Sequence, residues 1–160
     1  MITIRLARPE DEAALTEIDR RTWSSAVSPA PPPEPGTPFF GEDARPGNFL
    51  VAEHEGEVAG YVRLSAGFPI DAHRHVLVIG GLAVDPDRQR LGIGRQLVEA
   101  AVAAARRKGA RKLTLRVLGH NTGARRVYER CGFVTEGVLR GEFRLDGTDV
   151  DDVLMARSLA

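Results

Sequence analysis

Gln89-Arg90-Leu91-Gly92-Ile93-Gly94-Arg95 sets two glycines among arginines where an apolar run, VLVIGGLAV, gives way to an amphipathic one. A strand-to-helix junction of this kind brings unpaired backbone N–H groups and positive charge to one exposed point, which suits an anion. Small residues at Gly92 and Gly94 let the backbone close on a pyrophosphate, and Arg88, Arg90 and Arg95 add charge around it. A dinucleotide fingerprint needs a third glycine where Leu97 stands. A Walker A loop needs a second glycine followed by Lys and Ser or Thr. Neither pattern is present, so a nucleotide-binding module of those kinds is disfavoured.

A second constellation lies about thirty residues on, in NTGARRVYERCGF. Helical spacing puts Ala124, Val127, Tyr128 and Cys131 on one face, with Asn121 at the N-cap and Gly132 just past the end. A phenol of ordinary pKa, about 10, stays protonated near neutrality and can donate to a departing thiolate. The competing role for Tyr128 is that of a core aromatic. Cys131 has no base beside it and reads as a small packed hydrophobe rather than a nucleophile. As the single cysteine it excludes an internal disulfide and any multi-cysteine metal site, and the four histidines are too scattered for another.

The elements that must position these residues follow from periodicity. ITIRLA alternates as a half-buried strand, and RPEDEAALTEIDRRTW is a helix with Ala14, Leu15, Ile18 and Thr22 on one face. NFLVAEHEGEVAGYVRLSA reads as a hairpin about Glu55-Gly56, and HRHVLVIGGLAVDP as a third long strand stopped at Pro86. Gly80-Gly81 inside that strand predicts a bulge or a close backbone approach. A helix is expected from Gly94 to Lys108, stopped by Gly109, then a strand, RKLTLRVL, and after the short helix two strands turning at Asp146-Gly147. The order argues a mixed α/β domain. Seven of the ten prolines fall in residues 28–46, a semi-rigid extended loop. Phe39 and Phe40 within it predict a wall or lid beside a substrate site.

At 160 residues the chain fits one domain with a sizeable core. Twenty-two basic side chains balance twenty-two acidic ones, so no global field favours nucleic acid or an acidic membrane. No apolar run resembles a signal peptide or is long enough to span a bilayer, and a cytoplasmic protein is expected. Two acidic runs, Gly41–Asp43 and Asp146–Asp152, read as solvated turns. The sharper reading of the second is attraction of a cationic amine through Asp149, Asp151 and Asp152.

The sequence resembles the GNAT N-acetyltransferase superfamily through four features in order. They are Leu82-Ala83-Val84, QRLGIG from Gln89 to Gly94, Asn121 with Ala124, and VYERCGF from Val127 to Phe133. The opening ITIRLARPEDEAAL is also similar. The resemblance implies a single domain over residues 1–160 of α/β (α+β) class, with a mixed, largely antiparallel twisted sheet flanked by helices. A cofactor slot would lie between splayed central strands, with Gly80-Gly81 as the bulge. It implies transfer of acetyl from acetyl-CoA to a primary amine of a small molecule or peptide, by direct attack in a ternary complex.

On this resemblance the pyrophosphate rests on Gln89, Arg90, Leu91, Gly92, Ile93, Gly94 and Arg95. The pantetheine arm runs beside Leu82, Ala83 and Val84, pairing with Leu82 and Val84. Asn121 hydrogen-bonds the cofactor, and Tyr128 protonates the leaving thiolate. Many family members carry a glutamate on the strand before the loop; VLVIGGLAV has no carboxylate. His73, His75, His120 and Glu142 are the substitutes for that base. His120, beside Asn121, is favoured among them, and a water relay or an amine arriving deprotonated would serve as well. The missing glutamate keeps a rival reading, a non-catalytic acetyl-CoA-binding sensor or interaction domain, against which Tyr128 speaks. Homodimers are common in the family.

Overall fold

The computed structural model describes residues 1–160. Seven strands and three helices follow one another as β1 (Ile2–Leu6), α1 (Glu12–Thr22), β2 (Phe49–His54), β3 (Glu57–Ala66), β4 (Val76–Val84), α2 (Ile93–Arg107), β5 (Lys112–Leu118), α3 (Thr122–Arg130), β6 (Val134–Leu145) and β7 (Thr148–Ser158). They form one sheet in the order β1-β2-β3-β4-β5-β7-β6, antiparallel throughout except between β4 and β5. The expected mixed, largely antiparallel sheet is therefore observed.

Alternation along the strands sends side chains to two cores. On one face Val62, Leu64, Ile79, Leu113, Leu115, Val153 and Met155 meet Leu97, Val98, Ala101, Val102 and Ala105 of α2. Alanines along α2 let the helix lie close to the sheet. On the other face Leu15 and Ile18 of α1 bury against Phe49, Val51 and Tyr61. The proline-rich segment folds over this second core. Phe39 packs against Phe40, Phe49 and Tyr61 with ring centroids 5.0–5.2 Å apart, mostly edge to face.

The first helix starts later than its apolar periodicity suggests. Residues Pro9–Asp11 form a tighter 3-10 turn, and α1 begins at Glu12. Asp11 is turned inward: its carboxylate takes two hydrogen bonds from Arg5, at 2.8 and 2.9 Å, and one from the Arg8 amide at 2.8 Å. Arg5 also pairs with Glu53. The Arg5 contact, against the opposing effect of burial, holds the Asp11 carboxyl below the usual range.

Gly60 marks the tightest packing between β3 and β4. A Cβ there would stand 2.7 Å from the Ala83 carbonyl oxygen and 3.3 Å from Leu97 Cδ1. Gly60→Ala is expected to destabilise the fold by about 1–3 kcal/mol, read as a lowered denaturation midpoint, because a backbone oxygen must move to admit the methyl. For Asp11→Asn the expected loss at neutral pH is about 1–3 kcal/mol. A carboxyl whose pKa is depressed on folding contributes fully above its unfolded value, near 3.9, and loses that contribution as pH falls through the folded value. The gap between wild type and variant should therefore be widest at neutral pH and close below about pH 4. Urea titrations across that range would show it, and a gap independent of pH would refute it.

Candidate active site

The parallel ladder between β4 and β5 is short. It joins Val76–Ile79 to Lys112–Leu115 and stops there. Beyond it β5 stays paired with β7 as far as Leu118, while β4 follows β3 as far as Val84. The sheet consequently opens between Gly80–Val84 on one side and Arg116–Leu118 on the other. The register between β3 and β4 shifts at the same level, since Arg63 pairs with Gly81 and Leu64 with Ile79. Gly80 is the extra residue, so the bulge lies where Gly80-Gly81 predicts it.

Which backbone groups face the opening follows from the phase of the ladder. The Asp85 amide donates to the Ala59 carbonyl at 2.7 Å. In an antiparallel pair alternate residues exchange both bonds, so Ala83 and Gly81 also turn their polar groups toward β3. Leu82 and Val84 turn theirs the other way, into the gap. Only the Gln89 side-chain amide approaches one of these groups, donating to the Val84 carbonyl at 3.5 Å. Ala83 thus differs from its two neighbours: its backbone is spent on β3, and its methyl packs on the α1 face.

At the end of β4 the chain enters the glycine-containing loop. Arg90 and Gly92 both take positive φ, +68° and +79°, the left-handed region where glycine is at ease and arginine is not. The backbone amides of Gln89, Arg90, Leu91, Gly92, Ile93, Gly94 and Arg95 donate to nothing in the protein; the first to do so is Gln96, to the Gly92 carbonyl at 3.1 Å. Seven consecutive open amides running into a helix N-terminus are a backbone arrangement able to accept an anion such as a diphosphate. A Cβ on Gly94 would meet Val84 Cγ2 at 3.8 Å and Val127 Cγ1 at 3.9 Å. The loop, the end of β4 and α3 therefore converge at one edge of the gap.

Asp85 anchors the loop. It accepts from Arg21 at 2.7 Å, from Arg88 at 2.9 Å and from the Asp87 amide at 3.0 Å. Burial would raise its pKa, but the amide and the two guanidiniums outweigh it and hold the carboxyl below the usual range. Arg88 also pairs with Glu57 at 2.6 Å. Its charge is consumed in holding the loop, contrary to the expectation that it faces an anion. Arg90 and Arg95 are exposed and make no ion pair.

Tyr128 lies buried on α3, edge to face with Phe133 at 5.9 Å. Its hydroxyl bonds to no protein group and yet is not sealed from solvent, and burial pushes its pKa up, so it stays a proton donor. Asn121 caps α3 by accepting from the Ala124 amide at 3.3 Å, which leaves its side-chain nitrogen free. Cys131 is 2 % exposed and its thiol is pushed up to about 11, chiefly by burial, which fits a packed hydrophobe and not a nucleophile.

The base candidates fare differently. His73 and His75 precede β4 at the end remote from the loop, and His73 packs on Phe68. At about 3.3 Å per residue, His75 stands roughly 23 Å from Leu82 along the strand, too far to serve there. His120 is exposed, with Nε2 3.1 Å from the Ser25 carbonyl. Glu142 is exposed on β6; burial raises the Asp152 pKa, with Arg116 opposing and the Glu142 charge adding to the rise. The acidic run is largely committed within its own hairpin. Asp149 pairs with Arg144, Asp151 accepts from the Gly141 amide, both at 2.9 Å, and Asp152 is 2 % exposed beside Arg116. It is not the open cation-attracting patch its composition suggests.

A feature the motifs do not announce lies on the α1 face of the bulge. A pocket of about 210 Å³ is bounded by Thr16, Asp19, Phe39, Tyr61, Arg63 and Gly80-Gly81, with the proline-rich loop as its outer wall. That loop is thus a packed wall, as Phe39 and Phe40 suggest. The Tyr61 hydroxyl donates to Asp19 Oδ1. Burial raises the pKa of Asp19, opposed by this bond, and burial with the Asp19 charge raises that of Tyr61. The signal in the sequence is a carboxylate inside the apolar stripe Leu15–Ile18–Thr22.

Comparison with known proteins agrees with this geometry. Residues 13–133, from α1 past the end of α3, match the profile of the acetyltransferase (GNAT) family. The chain is 30 % identical to a phosphinothricin N-acetyltransferase of Alcaligenes faecalis over 165 residues, covering 98 % of this chain and 82 % of that one. It is 32 % identical to a 5-NmdU N-acetyltransferase of Pseudomonas phage PaMx11 over 143 residues, covering 86 % and 90 %. A GNAT phosphinothricin acetyltransferase from Sinorhizobium meliloti, solved in complex with acetyl-CoA, shares the fold with a TM-score of 0.83 at 23 % identity, covering 99 % and 89 %. The fold is shared, and the family profile spans most of the sequence: this chain belongs to the acetyltransferase (GNAT) family.

Proposed function

We propose that the opening between β4 and β5 receives the acyl donor from the α2–α3 side, and that the pocket on the α1 face receives the amine. The chain is an N-acetyltransferase that uses acetyl-CoA, and the amine is the primary amine of a small molecule or peptide. The single observation that carries the division of sides is the stretch of β4 past the bulge, with the open backbone of the gap and loop on one side and the Asp19 pocket on the other.

Acetyl-CoA, when bound, supplies an acetyl thioester. Gln89–Arg95 hold its pyrophosphate through backbone amides, and Arg90 and Arg95 add charge at the surface. Leu82 and Val84 offer the backbone donors and acceptors that a pantetheine arm can pair with. Asn121 has one amide nitrogen to spare for the same arm. Tyr128, protonated and with its hydroxyl open, stands ready to give a proton to sulfur. The acceptors in the relatives' names, phosphinothricin and 5-NmdU, make a small-molecule amine the leading class here.

The test is acetyl-CoA-dependent CoA release with a panel of amino acids, polyamines, aminoglycosides and short peptides, run beside a calorimetric titration of acetyl-CoA. Stimulated release by one class is expected. Tight acetyl-CoA binding with no stimulation by any acceptor would favour a sensor instead. Tyr128→Phe is expected to lower kcat about 100-fold while acetyl-CoA affinity stays within about 2-fold. Unchanged turnover would remove Tyr128 from proton transfer.

A further inference from the structure

Resting on the acetyltransferase reading, we infer that Asp19, held by Tyr61, is the group that takes the proton from the acceptor's ammonium. It fills the role that a carboxylate on β4 would otherwise fill.

The placement is specific. β4 carries no carboxylate, and the side chains of Arg63 and Tyr61 reach over its bulge. A Cβ on Gly80 would stand 3.3 Å from Arg63 Cδ, and one on Gly81 would stand 3.7 Å from Tyr61 Cε1 and 3.9 Å from its hydroxyl oxygen. The Tyr61 hydroxyl, and with it Asp19, therefore sits directly over the point where the sheet parts. Asp19 Oδ1 is engaged by Tyr61, whereas Oδ2 has no partner in the protein and is not sealed from the pocket. A bound carboxylate with one oxygen fixed and one free is suited to accept a proton in a defined direction.

The surroundings tune it without competing for it. From β3, Tyr61 and Arg63 face the pocket; from β4 only Gly80 and Gly81, from α1 Thr16, and from the loop Pro33, Thr37, Pro38 and Phe39. Arg63 is held away from Asp19, its guanidinium 5.9 Å over the Phe49 ring and bonded to the Asp43 carbonyl. Asp19 is thus a half-buried carboxylate without an ion-pair partner, and burial lifts its pKa toward the working range of a base.

The step balances simply. One ammonium proton passes to Asp19 Oδ2, and the freed nitrogen lone pair forms the new C–N bond to the thioester carbon. As the C–S bond breaks, sulfur takes a proton from the Tyr128 hydroxyl, which is restored from the nitrogen's second surplus proton through solvent. Asp19 then releases its proton to water. One proton is released overall, as conversion of an ammonium to an amide and of a thioester to a thiol requires.

The experiment compares wild type, Asp19→Asn and Tyr61→Phe with the panel amine of highest turnover. Readouts are kcat and kcat/KM from pH 5 to 10, with acetyl-CoA affinity and thermal midpoint measured alongside. Asp19→Asn should lower kcat at pH 7 about 100-fold, and the deficit should shrink as pH rises toward the amine's own pKa, near 10, because a free amine needs no base. Tyr61→Phe removes a hydrogen bond to the charged carboxylate, so the acid limb of its kcat/KM profile should move to higher pH. Acetyl-CoA affinity should stay at the wild-type value in both. A deficit in Asp19→Asn that does not vary with pH, or turnover within 3-fold of wild type, would overturn the role. Were Asp19→Asn not to fold, an unshifted acid limb in Tyr61→Phe would overturn it alone. Absence of any acceptor-stimulated release by wild type would overturn the enzyme reading itself, and is seen before any variant is examined.

Discussion

Backbone N–H and C=O groups must find partners, and a sheet that parts in its middle leaves some without any. That constraint organises this molecule. The β4–β5 ladder ends at Ile79 and Leu115, and β5 survives the separation because β7 pairs with it along its whole length. β4 survives because β3 pairs with it from Leu77 to Val84, around the bulge at Gly80. The two strands are each secured from outside, so the groups of Leu82 and Val84 can stay open at the opening without loss of the sheet. A ligand that pairs with them completes the sheet as a substitute strand would.

The two helical faces divide the labour. α2 fills one core with small and branched apolar side chains, and its N-terminus delivers the row of open amides to the edge of the gap. α1 closes the other face and brings Asp19 and Arg21 to opposite ends of the same stretch of β4: Asp19 over the bulge, Arg21 on Asp85 where the loop begins. One helix therefore positions both the pocket that we propose takes the acceptor and the root of the loop that we propose holds the donor. Rigid coupling of this kind keeps two reacting partners in register.

Much of this was legible in the sequence because it is local. Gly92 and Gly94 after an apolar strand announce the loop, Gly80-Gly81 announces the bulge, and Asn121 and Gly132 bracket α3. Each is a signal spread over a few residues whose backbone demands are read from residue type. The pocket on the α1 face was less legible because it is assembled across distance. Asp19 and Tyr61 are 42 residues apart and meet only when α1 packs on β3. On a helical wheel Asp19 is a lone polar interruption of an apolar stripe, and nothing in its neighbourhood names its partner. His73 and His75 stand far from the loop for a related reason: proximity to the strand in sequence did not translate into proximity to its loop end, because nine extended residues carry β4 well past them. The pairing of the second acidic run was not legible either, because its partners, Arg144, the Gly141 amide and Arg116, lie on paired strands.

The contact between Gly80 and Arg63 also ties two distant positions together. A Cβ at position 80 would stand 3.3 Å from Arg63 Cδ, so a side chain there requires the flexible arginine chain to give by a few tenths of an ångström. That same chain carries the guanidinium that lies 5.9 Å over the Phe49 ring and bonds the Asp43 carbonyl. A residue added at the bulge would therefore be felt at the proline-rich wall, and residues 63 and 80 are best varied as a pair.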